Sequence, residues 1–464
     1  MESSSVIAAH DPEQMRVILQ RHLQVPEQAS VQVQECRITN TRRRDGLRGA
    51  TQYELRLVDA STGRVWNQIV TGISFGGDRT RRAWETMSQT AGAPAKATAR
   101  STLPNFAYVP ELDLLLQVFP HDLRLPALAG LMAGPPPELI PILLKEFGSE
   151  KQELLGWTAD VVQYRVDMRA IVRLTVAAID PATGQARQCQ FYAKVYRDAE
   201  QGRRAYRAQA DLYERAAEVG EYLVVAKPID YDDVRRTLVT EAISGTSLSK
   251  IIRRGKDSVA AVRVAARAIA EFHRLDFAAP PRSIAEEIAR LHEARQYLAS
   301  ARPDLADDVS AMVEVVNSGL TGAPLGLIHG DLKPDHVLVD GDRVALIDFD
   351  LLGRADPVVD VAHLVAFLGK PEERSRSRRE EAADTAQEFV DEYFRYAPDT
   401  WRARLPLYHA MTSIHKAVGL CRRRGADRQP LVEEILREGQ AFLTSAADGS
   451  VPSYKRRLTR SVVR

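Results

Sequence analysis

The stretch "LIHGDLKPDHVLVDGDRVALIDFD", residues 327–350, decides the fold. Six Asp and two His residues stand there among short runs of Leu, Ile and Val. Carboxylates at the ends of buried strands are costly to desolvate, so their presence calls for a compensating ligand. "GLIHGDLKPDHVLVD" reads as a short apolar segment, a loop with Gly and Pro, and the strand "HVLV". "RVALIDFD" repeats the plan as a second strand ending in Asp348. Two hairpin-linked strands of this kind project Asp331 and His336 toward Asp348. Such a convergence of hard ligands, with room left for phosphate oxygens, suits a divalent cation.

Working outward, "FYAKVY" (191–196) reads as a strand with Phe191, Ala193 and Val195 on one face and Tyr192, Lys194 and Tyr196 on the other. The helical stretch "QGRRAYRAQADLYERAAE" follows, with Asp211 and Glu214 on one face as alternative acidic partners for Lys194. Residues 31–75 alternate apolar and polar positions and predict a small antiparallel sheet, with a helix near "DRTRRAWETMSQ". Thr62-Gly63 and Thr183-Gly184 can be laid side by side, as can Arg81-Arg82-Ala83-Trp84 and Arg203-Arg204-Ala205-Tyr206. Duplication and two unrelated hairpins explain this pairing equally well. In a duplicate, Gly72 or Ile73 would stand at the place of Lys194. The prolines of "AGPPPELIP" (133–141) suggest a boundary between modules. From about residue 246 apolar residues recur every three or four positions, as in "SVAAVRVAARAIAEFHRLD", which predicts packed helices.

The motif order resembles the aminoglycoside phosphotransferase family, kin to the protein kinases: His329-Gly330-Asp331, then Lys333, and Asp348 in "IDFD" 17 residues after Asp331. The resemblance implies Asp331 as catalytic base, Asp348 as principal Mg²⁺ ligand, and Lys333 as the cation that neutralises the transferring phosphoryl group. His336 stands where the family carries a metal-binding Asn, and completes the metal set in this reading. Lys194 resembles the lysine that steadies the α and β phosphates. "LVTEAISGTSL" (238–248) resembles the hinge, whose backbone at Glu241, Ala242 and Ile243 would pair with adenine. "DPVVDVAHL" is similar to the family's helix start, with Asp360 bracing the catalytic loop, and His273 matches a packed family histidine. The glycine-rich loop is absent; "YRVDMRA" stands in its place, with Arg165 and Arg169.

The implied fold is α+β: a bilobal protein-kinase-like fold with an additional N-terminal α+β module. The expected division is 1–140 as that module, either a degenerate small-lobe copy or unrelated, then 151–245 as the small lobe and 246–464 as the helical large lobe with the catalytic loop. The implied activity is transfer of a phosphoryl group from ATP or GTP, with two Mg²⁺ ions, to a hydroxyl of a small molecule. The N-terminal extension resembles that of maltose kinases, so a sugar acceptor stands beside an aminoglycoside-like one. The competing reading is a non-catalytic, pseudokinase-type nucleotide-binding module, favoured by His336 and the missing glycine-rich loop.

Bulk composition narrows the partners. The 464 residues are 45% hydrophobic, enough for sizeable cores, and 63 Lys plus Arg balance 62 Asp plus Glu. A net charge of +1 gives no global field toward nucleic acid. Basic runs at 41–46 and 453–464 read as a turn and a solvated terminus. Cys36, Cys189 and Cys421 are too few and too scattered for a disulfide framework. The N-terminus has no basic-then-apolar leader pattern, and no apolar run is long enough to span a bilayer. The expectation is a cytoplasmic protein without membrane or nucleic-acid partners, its oligomeric state open.

Overall fold

A computed structural model describes residues 9, 11–24, 30–44, 48–76, 78–90, 103–148, 152–255, 258–320, 324–368, 376–422 and 429–447. The basic terminus 453–464 and most of 90–104 lie outside them. The chain forms two compact units, the first made of residues 1–203 with 229–239 and the second of 204–228 with 240–464.

The first unit holds two five-stranded sheets. Helix α1 (Pro12–Leu23) starts where Asp11 Oδ1 accepts the amides of Glu13 and Gln14, at 2.9 and 3.1 Å, with Pro12 in the first turn. Its Met15 and Leu19, one turn apart, are fully buried with Tyr53, Leu55 and Leu57 of the first sheet. That sheet contains β1 (Val31–Arg44), β2 (Arg48–Asp59), β3 (Val65–Ser74), β4 (Phe106–Val109) and β5 (Leu114–Val118), in the order β1-β2-β3-β5-β4. Helix α2 (Arg79–Thr90) follows β3. Next come α3 (Ala127–Ala133) and α4 (Leu139–Lys145). Their Leu128, Leu131, Leu139 and Leu143 pack into the core of the second sheet.

The second sheet repeats the first. Its strands β6 (Glu153–Arg165), β7 (Arg169–Ile179), β8 (Ala186–Tyr196), β10 (Pro228–Asp232) and β11 (Thr237–Glu241) run β6-β7-β8-β11-β10, with helix α5 (Ala199–Val219) after β8. The turns between the second and third strands close with the same backbone bond. The Gly63 amide donates to Asp59 O and the Gly184 amide to Asp180 O, both at 2.8 Å. Both glycines adopt positive φ, 70° and 68°, as such turns require. Register follows: Ala50 pairs with Ile73, and Ile171 with Lys194. Each first hairpin also carries two bulges, between Val33/Glu35 and Ile38/Asn40 in one and between Leu154/Gly156 and Val161/Gln163 in the other. The pairing thus sets Ile73, fully buried, rather than Gly72, at the position of Lys194.

The second unit is mainly helical. Helices α6 (Leu248–Arg254), α7 (Ser258–His273), α8 (Ile284–Ala301), α9 (Ala306–Gly319), α10 (Val358–Leu368), α11 (Arg376–Tyr396), α12 (Leu405–Cys421) and α13 (Gln429–Ala447) share one apolar core. Short strands interrupt them: β12 (Thr246–Ser247), β14 (Val337–Asp340) and β15 (Arg343–Leu346) form a sheet with β9 (Leu223–Val225), while β13 (Gly326–Ile328) pairs with β16 (Gly353–Ala355). The β14–β15 hairpin closes through Gly341-Asp342, with Gly341 at φ 61°. The second strand ends at Leu346, two residues earlier than the sequence suggests, because Asp348 turns the chain at φ 71°. An Asp tolerates that conformation better than most residues. Among the described residues no helix is long and apolar enough to cross a membrane.

Candidate active site

The loop between β13 and β14 is built from behind by Asp360, on the first turn of α10. Its carboxylate, 1% exposed, accepts the amides of His329 and Gly330 at 2.6 and 2.9 Å. His273 Nε2 lies 3.3 Å from the same group, and His273 Nδ1 is 2.7 Å from the Tyr393 hydroxyl. Burial would push the Asp360 carboxyl up, but His273 and the loop amides outweigh it and hold it below the usual range. Asp360 therefore braces the loop, and His273 is the packed, satisfied histidine expected from the sequence. Gly330, at φ 82°, has no room for a Cβ, which would strike the Leu351 carbonyl and come within 2.9 Å of the Arg282 guanidinium.

Beyond Gly330 the functional side chains converge. Lys333 Nζ lies 2.7 Å from Asp331 Oδ1. His336 ends a short 3₁₀ turn, Pro334–His336, and its Nδ1 is 2.9 Å from the Asp331 carbonyl. A carbonyl only accepts, so Nδ1 carries the hydrogen and Nε2 presents a lone pair. That lone pair faces Asp348 Oδ2 at 3.5 Å. Burial, then the neighbouring His329 ring, pushes the His336 imidazole down to about 4, so it stays neutral beside the carboxylate. Ligand atoms of Asp331, His336 and Asp348 all lie within 4.8 Å of one another. A lone pair and two carboxylates at that spacing fit a divalent cation, which would relieve their mutual repulsion. His329 supports the set from below: its Nε2 donates to Ile347 O at 2.9 Å, and its ring stacks on His336 at 5.6 Å.

The model of the phosphotransferase enzyme family matches residues 169–407, more than half of the chain. The chain belongs to that family. No curated protein matches it. Among solved structures it is similar to an amicoumacin kinase, at 14% identity over 61% of this chain and 88% of that one, with a TM-score of 0.44. It is similar too to a choline/ethanolamine kinase family protein from Mesorhizobium loti, at 19% over 61% and 88%, TM-score 0.41. A third is a thermostable mutant of an aminoglycoside phosphotransferase, at 13% over 66% and 98%, TM-score 0.41.

The remaining sequence candidates lie as follows. Lys194 sits on β8 of the first unit, half-buried, its ammonium 5.1 Å from the centre of the Tyr196 ring. Asp211 and Glu214 are exposed on α5 in the second unit. Glu241 closes a backbone pair: its amide donates to Lys227 O at 3.0 Å, and its carboxylate accepts the Lys227 amide at 2.8 Å. Ala242 and Ile243 follow in an irregular, half-buried segment before β12. Arg165 and Arg169 face each other at the end of the β6–β7 hairpin.

A cavity of about 630 Å³ opens beside Gly330 and Lys333, walled by α8, α10, α12 and α13. Sequence reasoning missed these side chains of its lining: Arg282, Glu287, Arg290, His363 and Lys416. His363 lies in the "DPVVDVAHL" stretch, whereas the others stand on α8, in the segment just before it, and on α12. The acids Glu388, Asp391 and Glu392 of α11 do not line it. Glu388 and Glu392 pair with Arg263 and Arg267 of α7, each at 2.6 Å, and Asp391 with Arg402 at 3.3 Å.

Proposed function

We propose that this chain transfers the γ-phosphoryl group of ATP or GTP to a hydroxyl of a small molecule. The single observation that carries the reading is the cluster of Asp331, His336 and Asp348 within 4.8 Å, with Lys333 paired to Asp331. Asp331 orients the acceptor hydroxyl and takes its proton as the oxygen attacks the γ-phosphorus. The bond from that phosphorus to the bridging oxygen breaks, and the nucleoside diphosphate leaves with the electron pair. Lys333 lies within reach of both the base and the incoming phosphoryl oxygens. His336 and Asp348 would hold Mg²⁺, two ions in this reading, which when bound supplies charge neutralisation for the phosphates. Lys194 steadies the α and β phosphates, and the backbone of Glu241, Ala242 and Ile243 receives the base.

The division of labour follows the sheets. Residues 151–245 serve as the small lobe and 246–464 as the acceptor-binding large lobe. Residues 1–140 are a degenerate small-lobe copy that binds no nucleotide. Support for this lies in the shared strand order and in Ile73, an apolar residue at the position of Lys194. The three cysteines are free thiols, in keeping with a reducing, cytoplasmic setting.

The test is nucleoside diphosphate release with ATP or GTP and a panel of sugars, amino-sugars and phosphorylated sugars, for the wild type and Asp331→Ala. Turnover that depends on acceptor and on Asp331 supports the kinase. Nucleotide binding without turnover for every acceptor supports the pseudokinase reading instead.

A further inference from the structure

His336 differs in kind from the other members of the ligand cluster: it offers nitrogen where Asp331 and Asp348 offer carboxylate oxygen. Its ring is held from several sides. The His336 amide donates to Lys333 O at 2.9 Å and its carbonyl accepts the Ile347 amide at 3.1 Å, which pins the backbone between the loop and the turn after β15. Nδ1 donates to Asp331 O at 2.9 Å. The ring plane lies 23° from that of His329, whose Nε2 is itself tied to Ile347 O at 2.9 Å. A metal-binding histidine characteristically gives its second ring hydrogen to a carbonyl or carboxylate, which fixes the tautomer and raises the basicity of the ligating nitrogen. His336 already has that second partner, so Nε2 stands as a pre-oriented nitrogen ligand.

Spacing supplies a second argument. Nε2 and Asp348 Oδ2 are 3.5 Å apart. Neighbouring ligands of an octahedral Mg²⁺, with bonds of roughly 2.0–2.1 Å, stand about 3.0 Å apart, and Mg²⁺ tolerates little departure from that geometry. Around a tetrahedral ion with bonds of roughly 2.1 Å the same two ligands stand about 3.4 Å apart. Ligand chemistry points the same way: carboxylate oxygen suits Mg²⁺, whereas imidazole nitrogen suits first-row transition ions, with affinity rising from Mn²⁺ toward Co²⁺ and beyond. Resting on the proposed phosphoryl-transfer site, we infer that His336 and Asp348 take a first-row transition-metal dication in preference to Mg²⁺, and that His336 sets this preference. Mg²⁺ is then the weaker occupant of the same position.

Calorimetric titration of the full chain, loaded with ADP, tests this with Mg²⁺, Mn²⁺, Co²⁺ and Zn²⁺ as probes, for the wild type and His336→Asn. Because ADP itself discriminates among these ions, the decisive quantity is how the ratio of Co²⁺ or Zn²⁺ affinity to Mg²⁺ affinity changes between the two proteins. That ratio is expected to fall by about ten-fold or more in His336→Asn, with Mg²⁺ affinity close to that of the wild type. Electron spin-echo spectroscopy of bound Mn²⁺, on protein carrying isotope-labelled histidine, reads the ligand directly. It should show a coordinating histidine nitrogen in the wild type and lose it in His336→Asn. The wild-type spectrum decides the matter by itself where thermal unfolding shows the variant to be misfolded. No histidine coupling, an unchanged ratio in the folded variant, or no ion binding overturns the inference. Turnover separates the two readings. Phosphoryl transfer with Mg²⁺ and no histidine coupling keeps the kinase and removes the ion preference, whereas histidine-coupled ion binding with no transfer to any acceptor keeps the preference and removes the kinase.

Discussion

His336 Nε2 faces Asp348 Oδ2 across 3.5 Å, and the hydrogen on the opposite ring nitrogen is engaged by the Asp331 carbonyl at 2.9 Å. A neutral imidazole lone pair and a carboxylate, both partly shielded from water, repel each other unless a cation lies between them.

This arrangement predicts the behaviour of His336 variants. His336→Ala should raise the Mg²⁺ concentration for half-maximal activity by about 10- to 100-fold, the range seen when ligand geometry is disturbed. His336→Asn, which restores a hard ligand, should recover most of the loss. Metal titration of activity, with Mn²⁺ binding followed by electron paramagnetic resonance, checks both.

Asp331→Asn removes the proton acceptor but keeps the shape of the side chain. A loss of about 10²- to 10⁴-fold in kcat is expected, the usual contribution of a positioned base. The thermal midpoint should hold, because Asp331 is partly solvated and pairs with the equally solvated Lys333. A variant that keeps full turnover would remove Asp331 from the chemistry.

Asp360 should matter for folding first. Asp360→Ala strands two buried amides and the His273 ring, a change of the class that costs about 3–5 kcal/mol. Urea unfolding reads the loss, and Asp360→Asn, which keeps one acceptor oxygen, should fall between the two.

The half-buried His363 of the cavity gives a pH signature. Burial lowers His363 from 6.5 to about 4, so between those values the unfolded chain binds a proton that the folded chain does not. Stability contributed by the neutral ring is therefore complete above pH 6.5 and falls as the pH drops toward 4, by roughly 3 kcal/mol in all. His363→Gln should flatten that part of the curve of unfolding midpoint against pH, and an unchanged slope would refute the assignment.

Much of this was legible in the chain itself. Spacing between Asp331 and Asp348, the Gly-Pro loop and the two apolar runs fixed a hairpin and its acids, because turn chemistry and strand alternation act over a few residues. Periodicity likewise marked α7 and placed Lys194 on β8. Other features are products of packing. The early end of β15 depends on Asp348 taking a positive φ, and the choice of Ile73 over Gly72 on strand register. The brace from Asp360 and the lining of the cavity join residues more than a hundred positions apart in some cases, as Arg290 and Lys416 are. Local sequence determined which groups could bind a cation and phosphate; only the tertiary structure decided which charges face the neighbouring cavity, since that depends on how α8, α10, α12 and α13 turn their faces when they bury their apolar sides together.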